Sequence, residues 1–309
     1  MQWIKGVYRL FVPYLFASKD DKEKRSIAES FYEKNLRNRR YSDSQNPEEW
    51  CNRYLSNVNG KSYSYKDVVC ALPTELMELK EFLDHEHFRS NDDKNDLNSP
   101  LEYIKNRLYE DMAQDAMIFL HETVSGKVCP YCNRNYVYVD GRIKGCDFDH
   151  YLPKSKYPLF AASFYNLIPA CPICNRFKKD ELFYFFPHKE YDYDALPHFR
   201  VWLKADDYMT NIESIEIEID CRKCADFEKD INRLKLGTLY KAHRDIVQEV
   251  LICKETYSER YLSELAESFE RNGLTKERMM EIVYNIPSSP EQFLDKPLSK
   301  LRYEVWYMN

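Results

Sequence analysis

Residues 129–179 read CPYCNRNYVYVDGRIKGCDFDHYLPKSKYPLFAASFYNLIPACPICNRFKK, and this stretch determines how the rest of the chain is interpreted. It contains two Cys-x-x-Cys pairs, Cys129/Cys132 and Cys171/Cys174. Two thiolates three positions apart can bind one zinc ion, and two such pairs complete a tetrahedral site. Because four thiolates leave no open coordination position, the pattern predicts a structural Zn²⁺ that stabilises the fold. The alternative is four buried cysteines without a metal.

A third pair, Cys221 and Cys224, follows at the end of an Ile/Glu-alternating segment. It has no second pair to complete a site, and Cys146 and Cys253 are the nearest candidates in sequence. We therefore expect ordinary thiols here and not a second zinc ion.

Charge is distributed unevenly along the 309 residues. The whole chain has a net charge of −6, which gives no general argument for nucleic-acid binding. Residues 127–179 carry nine Lys and Arg against three Asp, a local net charge of +6. This basic segment indicates a local site for a polyanion. The alternative is that the lysines only keep a small module in solution.

Composition excludes several classes of protein. Aromatic residues make up 15% of the chain, a load that excludes intrinsic disorder, and 7 Gly are too few for a collagen-like sequence. No apolar run approaches the roughly 20 residues of a membrane helix, and the N-terminal apolar segment has no cleavage signal. We therefore expect a cytoplasmic protein that uses no membrane and whose cysteines stay reduced.

Periodicity predicts an α+β chain in which mainly α-helical flanks surround a small cysteine-rich module. The predicted regions are a helical N-terminal region at 1–124, the module at 125–190, and a strand plus helices at 191–309. Helices are expected over 19–38, 99–123, 225–252, 256–271 and 275–284. Strands are expected over 135–139, 167–170 and 212–220, with a hairpin turn at Asp140-Gly141.

A second set of residues lies between and just after the cysteine pairs. In chain order these are Asp149-His150, Pro153, Ser155, Asn166-Leu167, Asn175 and Lys178. Each is a weak signal alone, but their order relative to the two cysteine pairs is specific. With Cys129/Cys132 and Cys171/Cys174, the set resembles the HNH endonucleases, the zinc-stapled branch of the ββα-metal (His-Me finger) nucleases. The resemblance covers about 50 residues.

The resemblance implies a mechanism for phosphodiester hydrolysis. His150, which is neutral near pH 7, suits the role of the general base that takes a proton from water. By resemblance, Asp149 and Asn175 bind one Mg²⁺ or Mn²⁺, and Asn166 braces the loop that carries His150. Four lysines are expected to contact phosphates as point charges: Lys154, Lys156, Lys178 and Lys179. Tyr151 and Tyr157 flank Lys154 and Lys156 and are candidate rings for base stacking.

Three further histidines have competing interpretations. The third motif position is Asn175, where the family name implies a second histidine, and His188 lies 13 residues beyond it. We interpret His188 as a core or solvated histidine. His85 and His87 suggest a metal cluster, but an exposed helix end is preferred.

The sequence around the motif is similar to that of HNH effector nucleases of bacterial anti-phage defence systems of the Septu type. That resemblance implies a companion ATPase or sensor subunit and a DNA substrate, with RNA left open. One active site per chain predicts that a monomer nicks one strand of DNA. A homo-oligomer that cuts both strands therefore stays open. The alternative functions are a zinc-stapled nucleic-acid-binding module without catalysis and a protein-docking scaffold.

Overall fold

The computed structural model describes residues 11–12, 15, 19–85, 99–123, 126–140, 143–257, 259–269 and 275–308. Helices predominate, and the strands of the described residues pair in antiparallel twos. The chain is therefore an α+β protein, as the sequence predicts. In the described part of the chain, no helix is long and apolar enough to cross a membrane.

The helices are numbered in chain order. They are α1 (Asp21–Asn35), α2 (Pro47–Tyr54), α3 (Tyr65–Val69), α4 (Pro73–His85), α5 (Pro100–Glu102), α6 (Tyr109–Thr123), α7 (Pro172–Lys178), α8 (Ala225–Arg233), α9 (Leu236–Tyr240), α10 (Arg244–Thr256), α11 (Glu259–Phe269), α12 (Lys276–Val283) and α13 (Ser299–Tyr307). A π-helical segment, Tyr103–Leu108, joins α5 to α6.

The strands are short. They are β1 (Phe11–Val12), β2 (Val139–Asp140), β3 (Ile143–Lys144), β4 (Asp147–His150), β5 (Leu167–Ala170), β6 (Tyr191–Asp192), β7 (His198–Leu203) and β8 (Ile215–Asp220). The antiparallel pairs are β1 with β6, β2 with β3, β4 with β5, and β7 with β8. Gly141 of the predicted hairpin turn lies outside the described residues.

Contacts divide the chain into two compact units. The first unit comprises residues 1–14, 126–136 and 190–309, and the second comprises residues 15–125 and 137–189. Both units draw on separated stretches of the chain. The division into three consecutive regions, 1–124, 125–190 and 191–309, stays a prediction.

Aromatic side chains form the core of the second unit. Phe31 of α1 packs against Phe164, with ring centroids 5.1 Å apart, and Phe160 and Tyr165 are fully buried beside them. Helix α1 starts at a capping box, in which Asp20 and Glu23 exchange side-chain to backbone hydrogen bonds. Phe164 and Tyr165 of this core directly precede Asn166 and strand β5 along the chain.

The first unit is built around β7 and β8. Alternation along β8 buries Ile215 and Ile217 and leaves Glu216 and Glu218 on the other face, as period-two patterning requires. The sequence predicts one helix over 225–252, but the structure has three helices there. The break falls where Lys235 adopts a left-handed backbone with φ of 56°, which an α-helix does not accommodate.

Candidate metal centre and catalytic site

The four motif cysteines form one buried cluster. The Sγ atoms of Cys129, Cys132, Cys171 and Cys174 all lie within 4.8 Å of one another. In a tetrahedral site with Zn–S bonds of about 2.3 Å, neighbouring sulfurs are about 3.8 Å apart. The cluster therefore has the donor set and nearly the spacing for zinc, and it could hold a structural Zn²⁺. The predicted clustering of the four cysteines is confirmed.

Backbone hydrogen bonds shape the turn that carries the first cysteine pair, Cys129 and Cys132. The backbone N–H of Arg134 donates to Cys132 Sγ at 3.4 Å, and the Cys129 N–H donates to the Asn135 carbonyl at 2.9 Å. The turn uses Asn133 in a left-handed conformation with φ of 50°. An N–H that points at a sulfur stabilises the thiolate, the form that binds metal.

The second cysteine pair occupies the start of a helix. Cys171 is the N-cap of α7, Pro172 is its first residue, and Cys174 lies within its first turn. Proline suits this place because the first helical N–H has no intrahelical acceptor. The cysteine spacing is thus set by the helix that also carries Asn175 and Lys178.

The remaining cysteines do not form a comparable site. The ten cysteines, all within the described residues, form no disulfide. Burial raises the pKa of Cys221 to about 12, and the neighbouring Cys224 adds to that shift. Among described residues, the Cys129 cluster is the only group of three or more His, Cys, Asp or Glu side chains close enough to share one metal ion.

Two antiparallel strands and the following helix bring the other motif residues together. In the pairing of β4 with β5, Asp149 lies opposite Ile168 and His150 lies opposite Leu167. Asn166 immediately precedes β5, and helix α7 packs against β4. The end of β4, the start of β5 and helix α7 therefore meet in the second unit.

The imidazole of His150 is oriented by a carbonyl group. Its Nε2 lies 3.0 Å from the Ala161 carbonyl oxygen. Because a carbonyl only accepts hydrogen bonds, Nε2 must carry the proton in the neutral ring, and Nδ1 then presents a lone pair. Burial lowers the pKa of His150 to about 3, and the charges of Lys154 and Lys178 act in the same direction. The imidazole is therefore neutral at pH 7.

Asn166 holds the chain that follows His150. Its side chain is fully buried, and its amide donates to the carbonyl oxygens of Leu152 at 3.1 Å and Phe160 at 2.9 Å. Its Oδ1 accepts from the Leu152 N–H at 2.7 Å. Its backbone carbonyl accepts from the Tyr151 N–H. These bonds fix the loop between His150 and Phe160 against the start of β5.

Asp149 forms a buried ion pair. The Lys178 ammonium lies 3.2 Å from Oδ1 and 3.0 Å from Oδ2, and both side chains are almost wholly buried. Lys178 also donates to the His150 carbonyl oxygen at 2.9 Å and the Tyr151 carbonyl oxygen at 3.4 Å. The sequence suggests a phosphate contact for Lys178, but its position is an interior one. Its ammonium neutralises Asp149 and ties α7 to the end of β4.

Asn175 pairs with a carboxylate that the sequence reasoning did not select. Its side-chain amide donates to Asp147 Oδ2 at 3.1 Å. Asp147 and Asp149 lie two residues apart on β4, so their side chains point to the same face of the strand. The period-two spacing in Asp147-Phe148-Asp149 was the signal that could have found Asp147.

The other predicted phosphate-binding lysines are at or near the surface. Lys156 and Lys179 are exposed, and Lys154 is half-buried with its ammonium 4.7 Å from the centre of the Tyr109 ring. Tyr109 also contacts the His150 ring, with centroids 4.6 Å apart in an edge-to-face arrangement. Burial raises the pKa of Tyr109 to about 12, with further contributions from Asp147 and Asp149. No motif pointed to Tyr109.

Several aromatic and histidine interpretations are now decided by burial. Tyr151 is buried and stacks on Phe186 at 4.1 Å, so it does not present its ring for base stacking. Tyr157 is half-buried and donates to Asp84 at 3.0 Å. His188 is a core histidine, and burial lowers its pKa to about 3. His85 is exposed at the end of α4, and His87 lies outside the described residues.

Comparison of the chain with protein-family models, with curated proteins and with solved structures finds no match.

Proposed function

We propose that this protein is a metal-dependent endonuclease of the HNH type that hydrolyses phosphodiester bonds in DNA. The observation that carries the proposal is the environment of His150. Its Nε2 is engaged by the Ala161 carbonyl, so its Nδ1 can accept a proton. His150 ends strand β4, which also carries Asp147 and Asp149 and packs against the helix that carries Asn175. A histidine held in one tautomer next to oxygen ligands has the components of assisted hydrolysis.

The chain's own groups divide the work of the reaction. His150 Nδ1 takes a proton from the attacking water, and the Ala161 carbonyl keeps the ring in the required orientation. Asn166 holds the loop through its buried amide, so that the ring and its carbonyl partner stay in register. Asn166 thereby acts on the reaction through His150.

Oxygen donors near the end of β4 suit a hard divalent cation. Asp149 and Asn175 are the proposed ligands for Mg²⁺ or Mn²⁺, and Asp147 adds a carboxylate on the same strand face. Mg²⁺ is commonly held by one or two carboxylates together with waters and substrate phosphates, so a complete protein cage is not needed. When bound, such a cation supplies positive charge that stabilises the developing charge on the phosphate. Lys178 competes with it for Asp149.

The zinc cluster has a structural part in this proposal. Strands of four residues and a helix of seven residues are too short to form a hydrophobic core by themselves. Zinc binding by Cys171 and Cys174 at the start of α7 would fix that helix, and with it Asn175 and Lys178. The four thiolates leave no position for substrate, so this metal would take no part in the chemistry.

Basic residues around the site support a polyanionic substrate. Lys156 and Lys179 are exposed, and Lys154 stands next to His150's aromatic neighbour. These lysines would contact the phosphates that flank the cleaved bond. By its resemblance to anti-phage effectors, the protein would act in the cytoplasm with a companion ATPase or sensor subunit. A homo-oligomer would supply a second active site for double-strand cuts.

Plasmid relaxation by the purified chain tests the proposal. Wild type with Mg²⁺ or Mn²⁺ should convert supercoiled DNA into nicked circles, and His150→Ala should not. His85→Ala is the matched control, because His85 is an exposed histidine at the end of α4. Loss of cleavage in both variants, or in neither, would contradict the role of His150.

A nucleic-acid-binding module without catalysis is the second candidate. One observation favours it: the ammonium of Lys178 neutralises the Asp149 carboxylate that the nuclease proposal assigns to the cation. Under this candidate, the zinc-bound wild type binds DNA with either cation but leaves the plasmid supercoiled.

A further inference from the structure

Tyr109 occupies an unusual place in the helical part of the second unit. It is the first residue of α6 and directly follows the π-helical segment Tyr103–Leu108. Ile104 and Leu108 of that segment are fully buried, and the segment packs against residues 158–160. π-Helical turns are rare and are frequently found at functional sites, because they redirect the side chains that follow them.

The Tyr109 ring contacts two groups of the candidate site with two different surfaces. The ring and the His150 imidazole meet edge to face at 4.6 Å, and the Lys154 ammonium lies 4.7 Å from the ring centroid. A cation within about 6 Å of an aromatic ring centre is attracted by the ring's electrons. The Tyr109 ring thus contacts both the Lys154 ammonium and the His150 imidazole.

We propose that Tyr109 is a positioning residue whose ring holds the Lys154 ammonium beside His150, where it binds a phosphate oxygen of the DNA substrate. This inference rests on the proposed nuclease function. A lysine side chain in solvent samples many rotamers, and the ring restricts Lys154 to those that reach the site. Tyr109 therefore acts on substrate binding through Lys154.

Steady-state cleavage of a labelled duplex by Tyr109→Leu, Tyr109→Phe and Tyr103→Leu provides the first measurement. Leucine removes the aromatic ring, and we expect KM to rise about two- to fivefold, the strength of a cation–π contact, with kcat changed less than about twofold. Tyr109→Phe keeps the ring and should restore KM to within about twofold of wild type. Tyr103→Leu is the control for general disturbance of the π-helical segment.

A double-variant comparison separates positioning from packing. Lys154→Met should raise KM as Tyr109→Leu does, and the two changes together should add little to either alone. A merely structural role for Tyr109 would lower kcat, zinc content or thermal stability instead. In that case the effects of Tyr109→Leu and Lys154→Met on KM would multiply.

The salt dependence of DNA binding tests the inference without cleavage. In a His150→Ala background with Mg²⁺, Lys154→Met should reduce the slope of log K against log salt by about 0.9, the contribution of one phosphate contact, and Tyr109→Leu should reduce it by part of that amount. If wild type cleaves but Tyr109→Leu keeps the wild-type KM and slope, the inference is overturned and the nuclease proposal stands. If wild type binds DNA without cleaving and the slope still falls, the nuclease proposal fails while the placement of Lys154 holds.

Discussion

Substitution of the buried lysine of α7 is the perturbation with the largest expected effect. Lys178 is wholly buried, and its ammonium contacts both Asp149 oxygens and the carbonyl oxygens of His150 and Tyr151. Lys178→Met keeps most of the aliphatic volume but removes the ammonium. Asp149 then stays buried as a carboxylate without that cation.

The magnitude follows from the burial of the pair. Breaking a buried ion pair by removing one partner costs about 3–5 kcal/mol, because the remaining charge has lost its compensation. A whole domain is stabilised by only about 5–15 kcal/mol, so this loss is a large part of the total. The double variant Asp149→Asn/Lys178→Met removes both charges and should recover much of the loss. Lys179→Met, at the exposed neighbour, should cost less than about 0.5 kcal/mol.

Native-state hydrogen exchange of the zinc-loaded protein is the appropriate assay. Amides in the β4–β5 pairing report the free energy of opening that element. A loss of 3–5 kcal/mol accelerates their exchange by about two to three and a half powers of ten in Lys178→Met. Acceleration below about tenfold, or a double variant as impaired as the single one, would refute the assigned role of this pair.

Three further predictions concern zinc, acid stability and the loop that follows His150. Cys171→Ser should release zinc and unfold the region around α7, measured as metal content and circular dichroism, whereas Cys253→Ser should retain one zinc per chain. Burial lowers the pKa of His188 to about 3, so the folded protein favours the neutral imidazole. The contribution of His188 to the free energy of unfolding is therefore full above about pH 6.5. It falls by up to about 1.4 kcal/mol per pH unit as the pH drops towards 3. Acid melts of His188→Gln should show a shallower fall; an unchanged slope would contradict this assignment. Asn166→Ala removes a buried amide with three side-chain hydrogen bonds, which should cost at least about 2 kcal/mol in denaturant unfolding and slow cleavage while zinc stays bound.

The cysteine cluster and the broad fold class were predictable because they depend on local patterns. A Cys-x-x-Cys pair has the spacing to bind one metal ion irrespective of its position in the chain. In the second pair, Pro172 also indicates the start of a helix. Helical periodicity and the Ile/Glu alternation of β8 likewise carry their own burial information. The structure breaks the predicted helix over 225–252 into three and reduces the predicted strand over 135–139 to Val139–Asp140, because a local pattern does not mark where an element is interrupted.

The partners of the motif residues were not predictable, because they depend on tertiary packing. Lysine is almost always exposed, so nothing in the sequence marks Lys178 as the buried partner of Asp149. Asn175 bonds to Asp147, a pairing set by the packing of α7 on β4. Tyr109 lies 20 residues before Cys129, the first motif cysteine, and directly follows a π-helical segment that breaks the 3.6-residue period.

The central claim is that His150 performs phosphodiester hydrolysis on a framework stabilised by zinc. Its most direct test is the initial rate of Mg²⁺-dependent cleavage of a labelled duplex by wild type and His150→Ala, each prepared with one zinc per chain. We predict cleavage by wild type and a rate at least about 100-fold lower for His150→Ala, the usual contribution of a general base. Equal rates at equal zinc content would contradict the claim.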